Sequence, residues 1–314
     1  MKKTVSFILR ISITLGLLIF LFARTDTRQL LTVVKQADGR YLAAAFFLFF
    51  LLNVLVFLRW LILLRGRRVK VNPLRLFLSY LVSLFFNLIF PSTIGGDTVR
   101  TLDIAKHTGT PSSSILATVV LDRVSGFFGL VTVLVFSLFF GYKVFNDPSI
   151  LWATGLLLLL VLLFSAVMFS GRCFGLCVKW LPSGSRVRAY LQKIHQETKA
   201  YRGRQSALWS AWFLSCLTHV GLAFVYAWVA RALGLEIRLV YFLIFVPMIS
   251  VFSSLPFSVG GLGLRDTASV FVFAKIGVAK ESAFAMSLAN FGFMLVLGIL
   301  GILSYVLILY RRRV

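Results

Sequence analysis

Long apolar runs alternate with short basic gaps along this chain. Runs of about 20 apolar residues are long enough to cross a hydrocarbon core as helices. Six runs approach or reach that length: Phe7 to Ala23, Tyr41 to Leu64, Ser114 to Gly141, Ile150 to Ser170, Ala207 to Ala230 and Ser282 to Tyr310. Two others, Leu74 to Phe90 and Leu239 to Leu255, are short and end abruptly in polar sequence. A third, Thr267 to Gly277, is about half a span. The expected fold is an all-α polytopic membrane protein. It has about six full spans plus two re-entrant or short-helix hairpins, and residues 1–314 form one integral membrane domain.

The two short runs end in related sequence. Residues 91–100 read PSTIGGDTVR and residues 256–265 read PFSVGGLGLR. At a constant offset of 165 residues (256 − 91), Pro91 matches Pro256, Gly95-Gly96 matches Gly260-Gly261, and Arg100 matches Arg265. Paired Gly/Pro breaks in two halves of a membrane protein point to a substrate site between repeats.

Charge sets the topology. The chain carries 33 Lys+Arg against 10 Asp+Glu, a net +23, in a sequence that is 59% hydrophobic. Its mean hydropathy of +0.93 excludes an ordinary soluble domain. The basic excess fits cytoplasmic loops facing an anionic leaflet, and no nucleic-acid module is recognisable. Arg65, Arg67, Arg68, Lys70 and Arg75 mark one cytoplasmic loop, and Arg311 to Arg313 mark the C-terminus. The longest polar segment, about residues 171–206, sets Arg172, Lys179, Arg186, Arg188, Lys193, Lys199, Arg202 and Arg204 against Glu197 alone. Its Tyr190, Leu191, Ile194 and Tyr201 recur at helical spacing, so it either lies along the leaflet or is a solvated loop. Spans 114–141 and 150–170 together return the chain to its starting side. The first motif region therefore enters and leaves from the cytoplasm. The same parity puts the second motif region on the outer side, as an inverted repeat requires. Arg24, Arg28, Lys35 and Arg40, on the outer side, run against the rule. Lys2 and Lys3 ahead of an apolar run without a small-x-small cleavage site indicate an uncleaved first span.

The candidate chemistry lies in the breaks. Pro91 and Pro256 can stop helices. The amides of Gly95, Gly96, Gly260 and Gly261, at helix starts, suit anions such as phosphate. Arg100, Arg123 and Arg265 supply cations whose planar fork matches phosphate oxygens. Asp97 can cap a helix beginning near Thr98 and pair with Arg100 one turn on. Asp122 and Arg123 fall roughly 12–14 Å along their span, near the bilayer middle. Such charges face a cavity or a partner, and they read either as site residues or as a structural pair locking two helices. Asp266 beside Arg265 forms a second acid–base neighbour pair. Arg10 and Arg59 read as snorkelling residues, and His219 as a packing or hydrogen-bonding one. Cys173, Cys177 and Cys216 form no disulfide framework and no metal set. No catalytic residue, metal site or cofactor is expected, and there is no nucleotide-binding G-x-x-x-x-G-K-[ST].

At Pro91, Gly95-Gly96-Asp97, Arg100, Asp122-Arg123, Pro256, Gly260-Gly261, Gly263 and Asp266 the chain resembles the flippase-like membrane domain of bacterial lysylphosphatidylglycerol synthases and its stand-alone relatives. The resemblance runs from the first span to the last. The family often has glutamate at the acid positions; Asp122 and Asp266 keep the charge with a shorter reach. In the synthases this domain moves the lipid product across the bilayer, and a soluble domain makes it from aminoacyl-tRNA. These 314 residues contain no such soluble stretch, so the resemblance implies no aminoacyl transfer. The expected function is translocation of a lipid with an anionic headgroup, a phospholipid or a polyprenyl-phosphate-linked glycan. The expected location is the bacterial inner membrane, with both termini cytoplasmic. Membrane lipids are the expected partners, with an envelope-biosynthesis enzyme as another. Two alternatives are an intramembrane lipid-modifying transferase and a non-transporting partner of an envelope enzyme.

Overall fold

A computed structural model describes residues 26–90, 94–141, 148–180, 182, 185–199, 201, 203–254 and 261–311. The first expected span, Phe7 to Ala23, lies outside them, as do Arg10, Pro91, Pro256 and Gly260. Twelve helices are described: α1 (Thr27–Lys35), α2 (Gly39–Gly66), α3 (Pro73–Ile89), α4 (Ile94–Thr108), α5 (Ser112–Gly141), α6 (Pro148–Phe169), α7 (Gly171–Lys179), α8 (Arg186–Lys199), α9 (Gln205–Ala232), α10 (Leu239–Ser254), α11 (Leu264–Ala274) and α12 (Lys280–Arg311). No strand occurs among the described residues.

Residues Gly39–Gly66, Ser112–Phe140, Gln205–Ala232 and Lys280–Val306 are helical, and long and apolar enough to cross a membrane. They coincide with four expected spans. The expected span at 150–170 is α6, 22 residues without a charged side chain. Apolar side chains on these helices point outward freely, Phe139 and Trp152 among them, as lipid-facing residues do. The two short runs become α3 and α10, each followed after a break by a second short helix, α4 and α11. The protein is therefore an all-helical, multi-pass membrane protein with two broken-helix regions.

Helix ends follow local chemistry. The Asp26 carboxylate accepts the Arg28 and Gln29 amides at 2.8 and 3.2 Å and caps α1. Asn72 does the same for α3, accepting from Leu74 at 2.9 Å, and Pro73 occupies the first helical position, where its missing N–H costs nothing.

The chain divides into two compact units, neither continuous in sequence. The first comprises residues 1–53, 77–100 and 220–314. Here α11 packs on α10 and α12, and α1 packs on α12. Phe273 of α11 meets Phe242 and Phe245 of α10, with ring centroids 5.5 and 5.4 Å apart. Small residues let backbones close up: a methyl group on Gly301 of α12 would lie 2.6 Å from the Leu81 carbonyl carbon of α3.

The second unit comprises residues 54–76 and 101–219. Its core holds Trp60, fully buried, whose Nε1–H donates to Thr118 Oγ1 at 3.0 Å. Trp212 Nε1–H donates to Thr132 Oγ1 at 3.1 Å. The basic segment is not a free loop. Helix α8 packs on α5 and α6, and the His195 ring, buried, stacks on Phe174 at 4.0 Å. Glu197 accepts from both Arg67 and Ser114. The Tyr201 hydroxyl donates to the Leu63 carbonyl at 2.6 Å, and burial pushes that phenol's pKa up. The stripe residue Leu191 is only half-buried; His195 and Tyr201 make the anchor.

Candidate functional site

The first motif occupies the break between α3 and α4, in the first unit. Helix α4 begins at Ile94, four residues before the expected start near Thr98, so Gly95 and Gly96 lie inside its first turn. The Gly96 amide donates to Asn87 Oδ1 of α3 at 3.0 Å and is occupied by protein. A methyl group on Gly96 would overlap the Ser83 carbonyl oxygen, and one on Gly95 would lie 2.5 Å from Phe90 Cβ. These glycines let the chain fold back on α3. Asp97 is accordingly a first-turn acid, not the N-cap. It accepts from Arg100 Nε at 3.1 Å and Nη2 at 2.9 Å, the pairing expected from their spacing. Arg100 is 3% exposed.

The second motif precedes α11, in the same unit. Gly261 and Gly263 have φ of +78° and +79°, a conformation open to glycine at little cost. Gly263 is the N-cap of α11, and its amide donates to Asp266 Oδ2 at 2.9 Å. Asp266 Oδ1 accepts from Arg265 Nη2 at 2.8 Å, Arg265 Nε at 3.3 Å and the Ser287 hydroxyl at 2.6 Å. Arg265 Nε also donates to Ser287 Oγ at 2.8 Å, and its Cζ lies 5.4 Å over the Phe291 ring. Arg265 is buried and Asp266 wholly so. Asp266 thus spends both oxygens on the turn, the arginine and α12. Its role here is to orient Arg265. Ser287 is not legible in the sequence, because α12 is an uncharged run at that point and its contact with α11 is tertiary.

The third pair is in the second unit, and its partner differs from the sequence reading. Asp122 of α5 has a partner on another helix. It accepts from Arg59 Nε of α2 at 2.6 Å, and Arg59 Nη1 donates to Ser215 Oγ of α9 at 2.8 Å. Arg59, 7% exposed, is a buried ion-pair residue and not a snorkelling one. Three helices are tied together through one guanidinium. His219 follows one turn beyond Ser215, with Nε2–H donating to the Gly126 carbonyl at 3.2 Å. Arg123 itself is half-buried.

Two concavities lie in the second unit. One, of about 490 Å³, is almost wholly apolar and is lined by Leu121, Val124, Phe128, Leu208, Trp209 and Trp212. The other, of about 660 Å³, is lined by Arg65, Arg68, Lys70 and Asn72 in the loop between α2 and α3.

The structure therefore assembles Gly261, Arg265 and Asp266 around one break, and Gly95, Gly96, Asp97 and Arg100 around the other. Both breaks belong to one compact unit. Cations fixed by neighbouring acids at interrupted helices can hold an anionic group. A family model for the lysylphosphatidylglycerol synthase TM region matches residues 7–301. No curated protein and no solved structure matches the chain.

Proposed function

The chain belongs to the lysylphosphatidylglycerol synthase transmembrane family, and on that premise we propose that it translocates a lipid with an anionic headgroup across the bacterial inner membrane. The substrate is a phospholipid or a polyprenyl-phosphate-linked glycan. The observation that supports this most is Arg265, buried beside a broken helix in a membrane protein and held by Asp266 and Ser287. An arginine at membrane depth costs about 3 kcal/mol on insertion scales, and such residues mark substrate or ion paths. Arg265 and Arg100 meet the headgroup phosphate, Asp266 and Asp97 hold the two guanidinium groups in place, and the acyl or prenyl chains stay in lipid. The protein moves its substrate without chemical change. Drive comes from an ion gradient, a partner or the lipid gradient itself. Both termini face the cytoplasm, consistent with Lys2, Lys3 and Arg311 to Arg313.

The test is reconstitution in liposomes that carry, separately, a fluorescent phospholipid and a polyprenyl-phosphate glycolipid. Transfer is read as label protected from a membrane-impermeant quencher. Wild type is expected to move at least one lipid class, and Arg100→Gln and Arg265→Gln to lose that movement while remaining monodisperse. No movement of either lipid by wild type, with or without an ion gradient, would refute autonomous translocation and turn attention to a non-transporting role beside an envelope enzyme.

A further inference from the structure

Asn290 lies on α12 about 15 Å from the helix start, near the middle of a hydrocarbon core about 30 Å thick. It is 7% exposed, and its Nδ2 is buried without a hydrogen-bond partner. Buried amides without partners are rare and call for a cause. The register of α11 against α12 supplies one. Ser269 donates to the Ala283 carbonyl at 3.0 Å, and one turn on Ser287 bonds Arg265 and Asp266. The two helices therefore run antiparallel. Asn290 is three residues beyond Ser287 on the same face of α12, and the adjacent Phe291 lies under the Arg265 guanidinium. Asn290 is thus level with the start of α11, where the chain breaks.

The carboxylate at this place is spent, and donors are left over. Asp266 has both oxygens engaged, by Arg265, Ser287 and Gly263. Arg265 uses Nε and Nη2 on Asp266 and Ser287, and its Nη1 donates to no described residue. Among the described residues the Nη1 edge of Arg265 and the Nδ2 of Asn290 are two donors left over here, beside the buried Thr267 hydroxyl. A spent carboxylate cannot take up a cationic headgroup. A pair of donors, one charged, takes an oxyanion.

We infer that Arg265 and Asn290 together form the phosphate-reading site of the protein, recognising the phosphate oxygens of a lipid headgroup and not an amine. This rests on the translocation reading only for the source of the phosphate; the donor pair itself is a binding statement.

Purified full-length protein in detergent is titrated with phosphatidylglycerol, with diacylglycerol of the same chains, and with inorganic phosphate, following the thermal midpoint. Phosphatidylglycerol should raise the midpoint of wild type, and diacylglycerol should not. Asn290→Leu should weaken the apparent Kd for phosphatidylglycerol about tenfold, the worth of one hydrogen bond to a charged group. Its unliganded midpoint should stay level or rise, because the amide it removes bonds nothing in the protein. Asn290→Asp, the same shape with acceptors in place of donors, should abolish the response. Stabilisation by inorganic phosphate alone would support the oxyanion chemistry and exclude the lipid as its source. Equal stabilisation by diacylglycerol would overturn the inference. So would an undiminished response in Asn290→Leu, or a fall in its unliganded midpoint like that of an amide bonded within the fold. Lipid binding lost in the variant but no transport by wild type would defeat translocation and leave this site standing.

Discussion

A charged residue in the apolar part of this chain is stable only with its partner, and the partner can lie far away in sequence. Asp122 shows this most directly: its counter-ion Arg59 is 63 positions away. Removing one member of a buried pair strands the other charge and costs about 3–5 kcal/mol, whereas replacing both by apolar residues of similar size is often close to neutral. Asp122→Leu is therefore expected to lower the thermal midpoint sharply. Arg59→Leu combined with Asp122→Leu should recover most of the loss, as read by fluorescence-detected size exclusion after heating. If the double variant regains stability yet moves no lipid, the pair also serves transport. The acids and arginines of the candidate site were legible in sequence as residues. Asp97–Arg100 was legible as a pair because both lie on one helix. Arg59–Asp122, Ser287 and Asn290 were not, because helix packing alone brings them together.

Within elements, glycine spacing decides where backbones meet. Gly96 lies against the Ser83 carbonyl, and its amide is held by Asn87. Gly96→Ala is expected to destabilise by about 1–3 kcal/mol through overpacking, visible as a lower thermal midpoint with the lipid preference of any remaining protein unchanged. The opposite sign is expected at Arg68. It follows the end of α2 with φ of +58°, in the αL conformation where helices favour glycine, and the Val69 amide returns to the Leu64 carbonyl at 3.1 Å. Arg68→Gly should stabilise by about 1 kcal/mol by removing the left-handed strain, measured by thermal unfolding in detergent. The helix breaks were readable from Pro, Gly and apolar length. That Gly95 and Gly96 serve close approach inside α4, and not an open amide nest, required the position of α3.

For the whole molecule, the distribution of basic residues makes a topological prediction. In a variant without Cys173, Cys177 and Cys216, a single cysteine at Lys106 or Arg188 should react with an impermeant maleimide only from the cytoplasmic side. One at Lys275 should react only from the outside. Labelling of Lys106→Cys and Lys275→Cys from the same side would refute opposite orientation of the two broken-helix regions.

By itself the sequence determined the membrane class, most helix positions and both breaks, because each follows from local quantities: run length against bilayer thickness, and the conformational demands of proline and glycine. It also determined the family, since the repeated Pro, Gly-Gly and Arg spacing is written in order along the chain. Tertiary structure alone decided which charges are spent and which remain. Asp266 is consumed by Gly263, Arg265 and Ser287, Asp122 by Arg59, and Asn290 keeps a buried amide with no partner. The physical reason is that hydrogen-bond satisfaction in an apolar medium is a property of neighbours in space, and those are set by helix packing at long sequence separation.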